Sequence, residues 1–200
     1  MRILIIGAHG TIGKRLTPAL AGRHEVLSAG RNSGDYRVDV SDEASVKALY
    51  NQVSNVDACI CVAASGPLDN FSTLTEEQLL KDMKGKLFGQ INLVLLGQNW
   101  LNTGGSFTLT SGIFADQPYP GVTGGAVTSG ALHSFTRAAA CELKNKIRVN
   151  CVSPGMAADA AEAFGHLFPG LKAVSMEELV AAYVASVEGS ESGRIYRAYG

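Results

Sequence analysis

Seven residues near the start, Gly7-Ala8-His9-Gly10-Thr11-Ile12-Gly13, follow directly on the apolar run Ile3 to Ile6. Glycines at this spacing let the backbone turn tightly and approach a ligand without a Cβ in the way, while the first amides of a following helix point donors at an anion. Strand, glycine turn and helix in that order predict a pyrophosphate cradle built from Gly7, His9, Gly10, Thr11, Ile12 and Gly13. The next apolar run, Glu25 to Ala29, leads into Gly30-Arg31-Asn32-Ser33. No carboxylate stands there to take the hydroxyls of a ribose. Arg31 instead offers a planar cation to a 2′-phosphate, with Asn32 and Ser33 as further donors, which predicts NADP(H) rather than NAD(H). A solvated loop arginine is the alternative reading of Arg31.

These residues need a scaffold, and the rest of the chain supplies one. Short apolar runs, Ile3 to Ile6, Glu25 to Ala29, Ala58 to Ala63, Ser106 to Thr110, Arg148 to Val152 and Gly193 to Arg197, read as strands. Helix-length segments separate them: Ile12 to Ala21, Ser41 to Gln52, Thr75 to Asn102, Gly124 to Lys144 and Ser175 to Val187. Ser41-Asp42-Glu43 and Thr75-Glu76-Glu77 place small polar and acidic residues where free amides and the helix dipole favour them. Repeated βα units with right-handed crossovers predict an α/β fold, a Rossmann-type doubly wound parallel sheet, in a single domain over residues 1–200. Ala157 to Gly170 is the one irregular stretch, a candidate short lid or substrate loop.

Composition limits the partners. With 17 basic and 18 acidic residues the net charge is −1, which argues against nucleic acid and against an acidic membrane surface. Cys59, Cys61, Cys141 and Cys151 show no metal-ligand spacing and read as buried free thiols. The first apolar residues run into the glycine loop instead of a cleavage region, and no apolar stretch has the length of a bilayer span, so the expected location is cytoplasmic.

Several motifs together resemble the short-chain dehydrogenase/reductase family over nearly the whole chain. Asp39-Val40-Ser41 is similar to the family's DV motif, whose acid contacts adenine. Val56 to Ala64 resembles the fourth-strand segment that ends in NNAG, keeping only its alanine, and puts Ala63, Ala64 and Ser65 beside the cofactor. Ile147 to Gly155, IRVNCVSPG, resembles the segment whose Pro-Gly turn approaches the nicotinamide, so Pro154, Gly155 and Met156 are expected there. The resemblance implies NADP(H) as cofactor, an unidentified small carbonyl or alcohol as substrate, no metal, and a homodimer or homotetramer paired through the two long helices.

Family members use a tyrosine and, four residues on, a lysine. The i, i+4 spacing sets an ammonium beside the phenol and lowers its pKa, while a serine from the preceding strand end polarises the carbonyl. Here Ser129-Gly130-Ala131-Leu132, then Phe135-Thr136-Arg137, resembles the stretch that begins at the lysine. That register puts Ser129 at the lysine position, Gly125 at the tyrosine position and Gly112 at the serine position, with Ser111 just before. Tyr119 is followed four residues later by Thr123, so shifting the register does not restore the pair. Aligning Gly89 with the family's NLxGxF helix puts Lys86 where an active-site asparagine stands. Lys86 and Ser111 are therefore the catalytic candidates, Lys86 as an amine whose pKa falls on desolvation. A surface lysine is the alternative for Lys86, and His9 and Tyr119 are further polar groups near the cofactor. Two functions stay open: an oxidoreductase with a non-standard site, or a non-catalytic NADP(H)-binding sensor or assembly protein.

Overall fold

The computed structural model describes residues 1–63 and 68–199. Arg2–Ile6 forms β1, with positions 3 to 6 almost completely buried. A strand covered on both faces must be apolar at successive positions instead of alternate ones, and this requirement made the run conspicuous. Ile3 and Ile5 pack to one side with Leu16, Leu20 and Tyr183, while Leu4 and Ile6 pack to the other with Val46, Leu93, Phe107 and Leu132. The remaining elements are α1 (Gly13–Ala21), β2 (Glu25–Gly30), β3 (Tyr36–Arg37), α2 (Glu43–Gln52), β4 (Ala58–Cys61), α3 (Glu76–Met83), α4 (Gly89–Gly97), β5 (Ser106–Thr110), α5 (Thr123–Glu142), β6 (Arg148–Pro154), β7 (Met156–Ala157), α6 (Ala158–Phe164), β8 (Ala173–Val174), α7 (Met176–Glu188) and β9 (Ile195–Ala198).

Seven strands form one parallel sheet in the order β3-β2-β1-β4-β5-β6-β9. Helices α1 and α7 cover one face and α2, α4 and α5 the other, giving the single α/β domain of Rossmann type that the sequence predicts. The strand order reverses between β1 and β4, and the crevice left at their C-terminal ends is where ligands of such sheets sit. Each fully buried Leu or Ile of these layers contributes roughly 1.5–3 kcal/mol.

Three expectations are corrected. The predicted long helix from Thr75 to Asn102 is two helices joined by a π-helical turn at Lys84–Phe88, where the Gly89 amide donates to the carbonyl of Lys84, and the second helix ends at Gly97. A Cβ on Gly97 would meet the Phe107 ring at 2.6 Å, so this glycine lets the helix end lie close to the sheet. The stretch read as irregular holds β7, α6 and a 3-10 turn at Gly165–Leu167. Cys141 is exposed on α5, whereas Cys59, Cys61 and Cys151 are buried thiols as expected. Among the described residues no helix is long and apolar enough to cross a membrane, and no cluster of three metal-ligating side chains is present.

Candidate active site

The glycine turn is held by its own backbone. Gly7 donates to the carbonyl of Ala29 at 2.8 Å and Gly10 to that of Gly7 at 3.0 Å. Gly7 adopts φ +91°, and a Cβ there would lie 2.8 Å from the Ala63 nitrogen. Gly13 is more tightly constrained: its Cβ would stand 2.2 Å from the Gly7 carbonyl oxygen. Both positions therefore demand glycine. The start of α1 carries no side-chain cap and no acidic residue in its first turn, so its positive end remains available to an anion. It faces a crevice of about 910 Å³ lined by Gly10, Thr11, Ile12, Arg31, Asn32, Asp39, Val40 and Ala63.

Eight of the expected cofactor residues thus line one crevice. Gly7, His9 and Gly13 belong to the turn without lining the crevice, and the Ser33 carbonyl lies against Gly30 instead. Ala64 and Ser65 lie outside the described residues. Arg31 is largely exposed, at 70% of its side chain, and pairs with Asp39, Nε to Oδ2 at 3.3 Å. Hydrogen bonds from the hydroxyl and amide of Ser41 hold the Asp39 carboxyl below the usual carboxylate range, and Arg31 adds to the effect. So exposed a pair is worth little, and Arg31 can exchange its partner for a phosphate at small cost.

A second cavity of about 520 Å³ adjoins the first, and Lys86 and Leu68 line both. Ser111, Gly112, Gly125, Pro154, Gly155 and Met156 border it, so the residues expected near the nicotinamide lie beside two of the three positions singled out in the sequence, with Ser129 behind Gly112. A Cβ on Gly112 would sit 3.5 Å from Ser129 Oγ and 3.8 Å from Lys86 Nζ, and one on Gly125 would sit 3.8 Å from the Phe114 ring. All three distances are ordinary van der Waals contacts. Gly112 has φ 175°, extended backbone open to any residue.

Lys86 is half-buried. The π-helical turn carries it inward, and its amine donates to Ser129 Oγ at 3.4 Å. Buried Gln90 fixes the turn: its amide donates to the carbonyls of Lys86 at 2.9 Å and Thr110 at 2.8 Å, and its oxygen accepts from the Thr110 amide at 2.7 Å. Burial lowers the Lys86 pKa below the ordinary lysine value, with neighbouring Cys151 acting weakly in the opposite sense. Ser111 hydrogen-bonds His133 Nε2 at 2.8 Å, and burial lowers the pKa of that histidine despite the opposing pull of Asp116. Tyr119 turns away from the cavity: its hydroxyl donates to the Pro169 carbonyl at 2.8 Å and its ring packs on Phe168.

Gln90 and His133 escaped the sequence reading. Gln90 interrupts an otherwise apolar helix face, which was the available signal, whereas His133 shares its buried face with Thr128, Ser129 and Thr136 and does not stand out. The Asp116 cluster, in which Arg197 and Tyr199 donate to the same carboxylate, links the β5–α5 loop to the end of β9 and left no local trace.

The architecture is shared with solved structures. The protein lin1944 from Listeria innocua superposes with a TM-score of 0.97 at 39% identity, each chain covered over its full length. A small-chain dehydrogenase gives a TM-score of 0.85 at 26% identity, over 100% of this chain and 96% of the other. Uncharacterized oxidoreductase YghA of Escherichia coli (strain K12) is 30% identical over 171 residues, which are 76% of this chain and 58% of that protein. Glucose and ribitol dehydrogenase homolog 2 of Arabidopsis thaliana is 27% identical over 150 residues, 70% of this chain and 52% of its own length. The chain thus spans about half the length of the curated relatives it matches. A family model described as Enoyl-(Acyl carrier protein) reductase matches residues 14–188, from the first helix beside the glycine turn to the end of α7. With that match added to the sheet order and the glycine turn, the chain belongs to the short-chain dehydrogenase/reductase family.

Proposed function

We propose that the protein is an NADP(H)-dependent oxidoreductase acting on a small carbonyl or alcohol, with Lys86 as its acid/base group. The observation that carries this reading is the half-buried Lys86 amine at the junction of the two cavities, within reach of the positions of Gly112 and Ser129. The glycine turn, the uncapped start of α1 and Arg31 fit a dinucleotide with a 2′-phosphate. A related small-chain dehydrogenase, 24% identical, has been solved in complex with NADPH. When bound, the dinucleotide supplies or accepts a hydride equivalent. Lys86 as the ammonium donates a hydrogen bond to the carbonyl oxygen and gives up a proton as an alkoxide forms; in the oxidative direction the neutral amine takes the proton back. A lowered pKa brings that exchange nearer to working pH. Ser111, hydrogen-bonded to His133 at 2.8 Å, borders the same cavity.

Lys86→Met should lower turnover about 100-fold or more and leave NADPH affinity unchanged. Because reduction needs the ammonium, the wild-type reductive rate should fall as pH rises through the lowered Lys86 pKa, and the variant should lack this limb. Turnover unaltered in Lys86→Met refutes the assignment. The second reading, an NADP(H)-binding sensor or assembly protein without catalysis, is favoured by Gly112, Gly125 and Ser129 at the family's serine, tyrosine and lysine positions. Cofactor binding with no consumption across a carbonyl panel would select it. Exposed Phe88, Leu95 and Val127 on the helices of one face support pairing into a homodimer or homotetramer, and the location we assign is cytoplasmic.

A further inference from the structure

We infer that the cavity beyond Lys86 takes a neutral, apolar carbonyl compound, best an aryl one, and excludes both polyols and anionic substrates. The inference rests on the reading that this cavity receives the substrate. Its walls come from two segments far apart in sequence: Ile113, Phe114 and Val122 on the way into α5, and Met156, Phe168 and Leu171 between β6 and α7. Among the described lining residues only Lys86 and Ser111 carry polar side chains. The Ser111 hydroxyl is already engaged by His133 at 2.8 Å, so the polar recognition on offer is a single oxygen held near Lys86.

That inventory sorts the ligand chemistries. A sugar or polyol entering here would strip water from several hydroxyls and find partners for one or two, and buried polar groups without partners are costly. A carboxylate or phosphate would meet one cation whose charge burial already disfavours and no arginine among the lining residues. A ketone or aldehyde needs one donor only. The Phe114 and Phe168 rings stand 5.2 Å apart, inclined at 39°, and form an aromatic wall against which a further ring can pack. Tyr119 holds that wall in place, edge-on to Phe168 at 5.7 Å with its hydroxyl on the Pro169 carbonyl. At the rim Phe164 and Leu167 remain 53% and 38% exposed, apolar surface that a ligand of matching character would cover.

The inference is tested without turnover, by ligand-observed NMR on the intact protein with NADP⁺, using acetophenone, ribitol and benzoate as probes. Acetophenone should bind, ribitol and benzoate should give no saturable signal, and Phe168→Asp should weaken acetophenone at least tenfold while leaving NADPH affinity unchanged. Leu171→Asn, on the same wall, replaces it if the melting temperature shows that Phe168→Asp does not fold. Ribitol or benzoate binding as tightly as acetophenone overturns the inference, as does acetophenone binding that folded wall variants leave intact. Acetophenone bound at the wall in a protein that never consumes NADPH supports the cavity's ligand class and overturns only the oxidoreductase reading.

Discussion

Two pairs of glycines stand beside two adjoining cavities, and they differ in what geometry demands of them. Gly7 and Gly13 are imposed by geometry: a Cβ on either would lie within 3 Å of backbone atoms. Gly112 and Gly125 are not, since a Cβ at each would find contacts of 3.5 Å or more. The glycine turn thus keeps a shape that tolerates no side chain, while the backbone at Gly112 and Gly125 has room for one, and that room belongs to the cavity that Lys86 enters.

The comparison breaks first at Gly13. Gly13→Val should push α1 away from the turn, weaken NADPH binding more than 100-fold and cost about 3 kcal/mol of stability, read by titration and by denaturant unfolding. Gly112→Ser is the matched control and should change stability by no more than about 0.5 kcal/mol. Equal losses in the two variants would erase the distinction between the two pairs.

A smaller effect is expected at Asp116, which fastens the loop after β5 to the end of β9. Hydrogen bonds from Arg197, then Tyr199, hold its carboxyl at about 2. Because the folded value lies below the unfolded one, the stabilisation is complete above pH 4 and is lost as pH falls toward 2. Asp116→Asn should cost about 1 kcal/mol near neutrality, and the gap from wild type should close on acidification. A gap that widens on acidification contradicts the pairing.

How far the sequence disclosed this molecule depended on the forces at each element. The central strands were legible because burial on both faces leaves an uninterrupted apolar run, as in Ala58–Cys61. Two-residue β3 at the sheet edge has no such run. Helix α6 buries no side chain, so no apolar stripe marked it. The π-helical turn at Lys84–Phe88 has the composition of the helices it joins, and it depends on Gln90 gripping Thr110 twenty residues away. The glycine turn between β1 and α1, a local motif, was legible as strand, turn and helix in order. The wall that pairs Phe114 with Phe168 is a product of tertiary packing and was not.

The claim at the centre of the account is that the cofactor end is intact and built for a 2′-phosphate, whatever chemistry follows. Fluorescence titration of NADPH and NADH against the wild-type protein and Arg31→Asp tests it most directly. We predict that wild type prefers NADPH, and that the substitution weakens NADPH about 10- to 100-fold through loss of charge-assisted hydrogen bonds without weakening NADH. Wild-type protein that binds neither dinucleotide, or an Arg31→Asp variant with unchanged NADPH affinity, would contradict it.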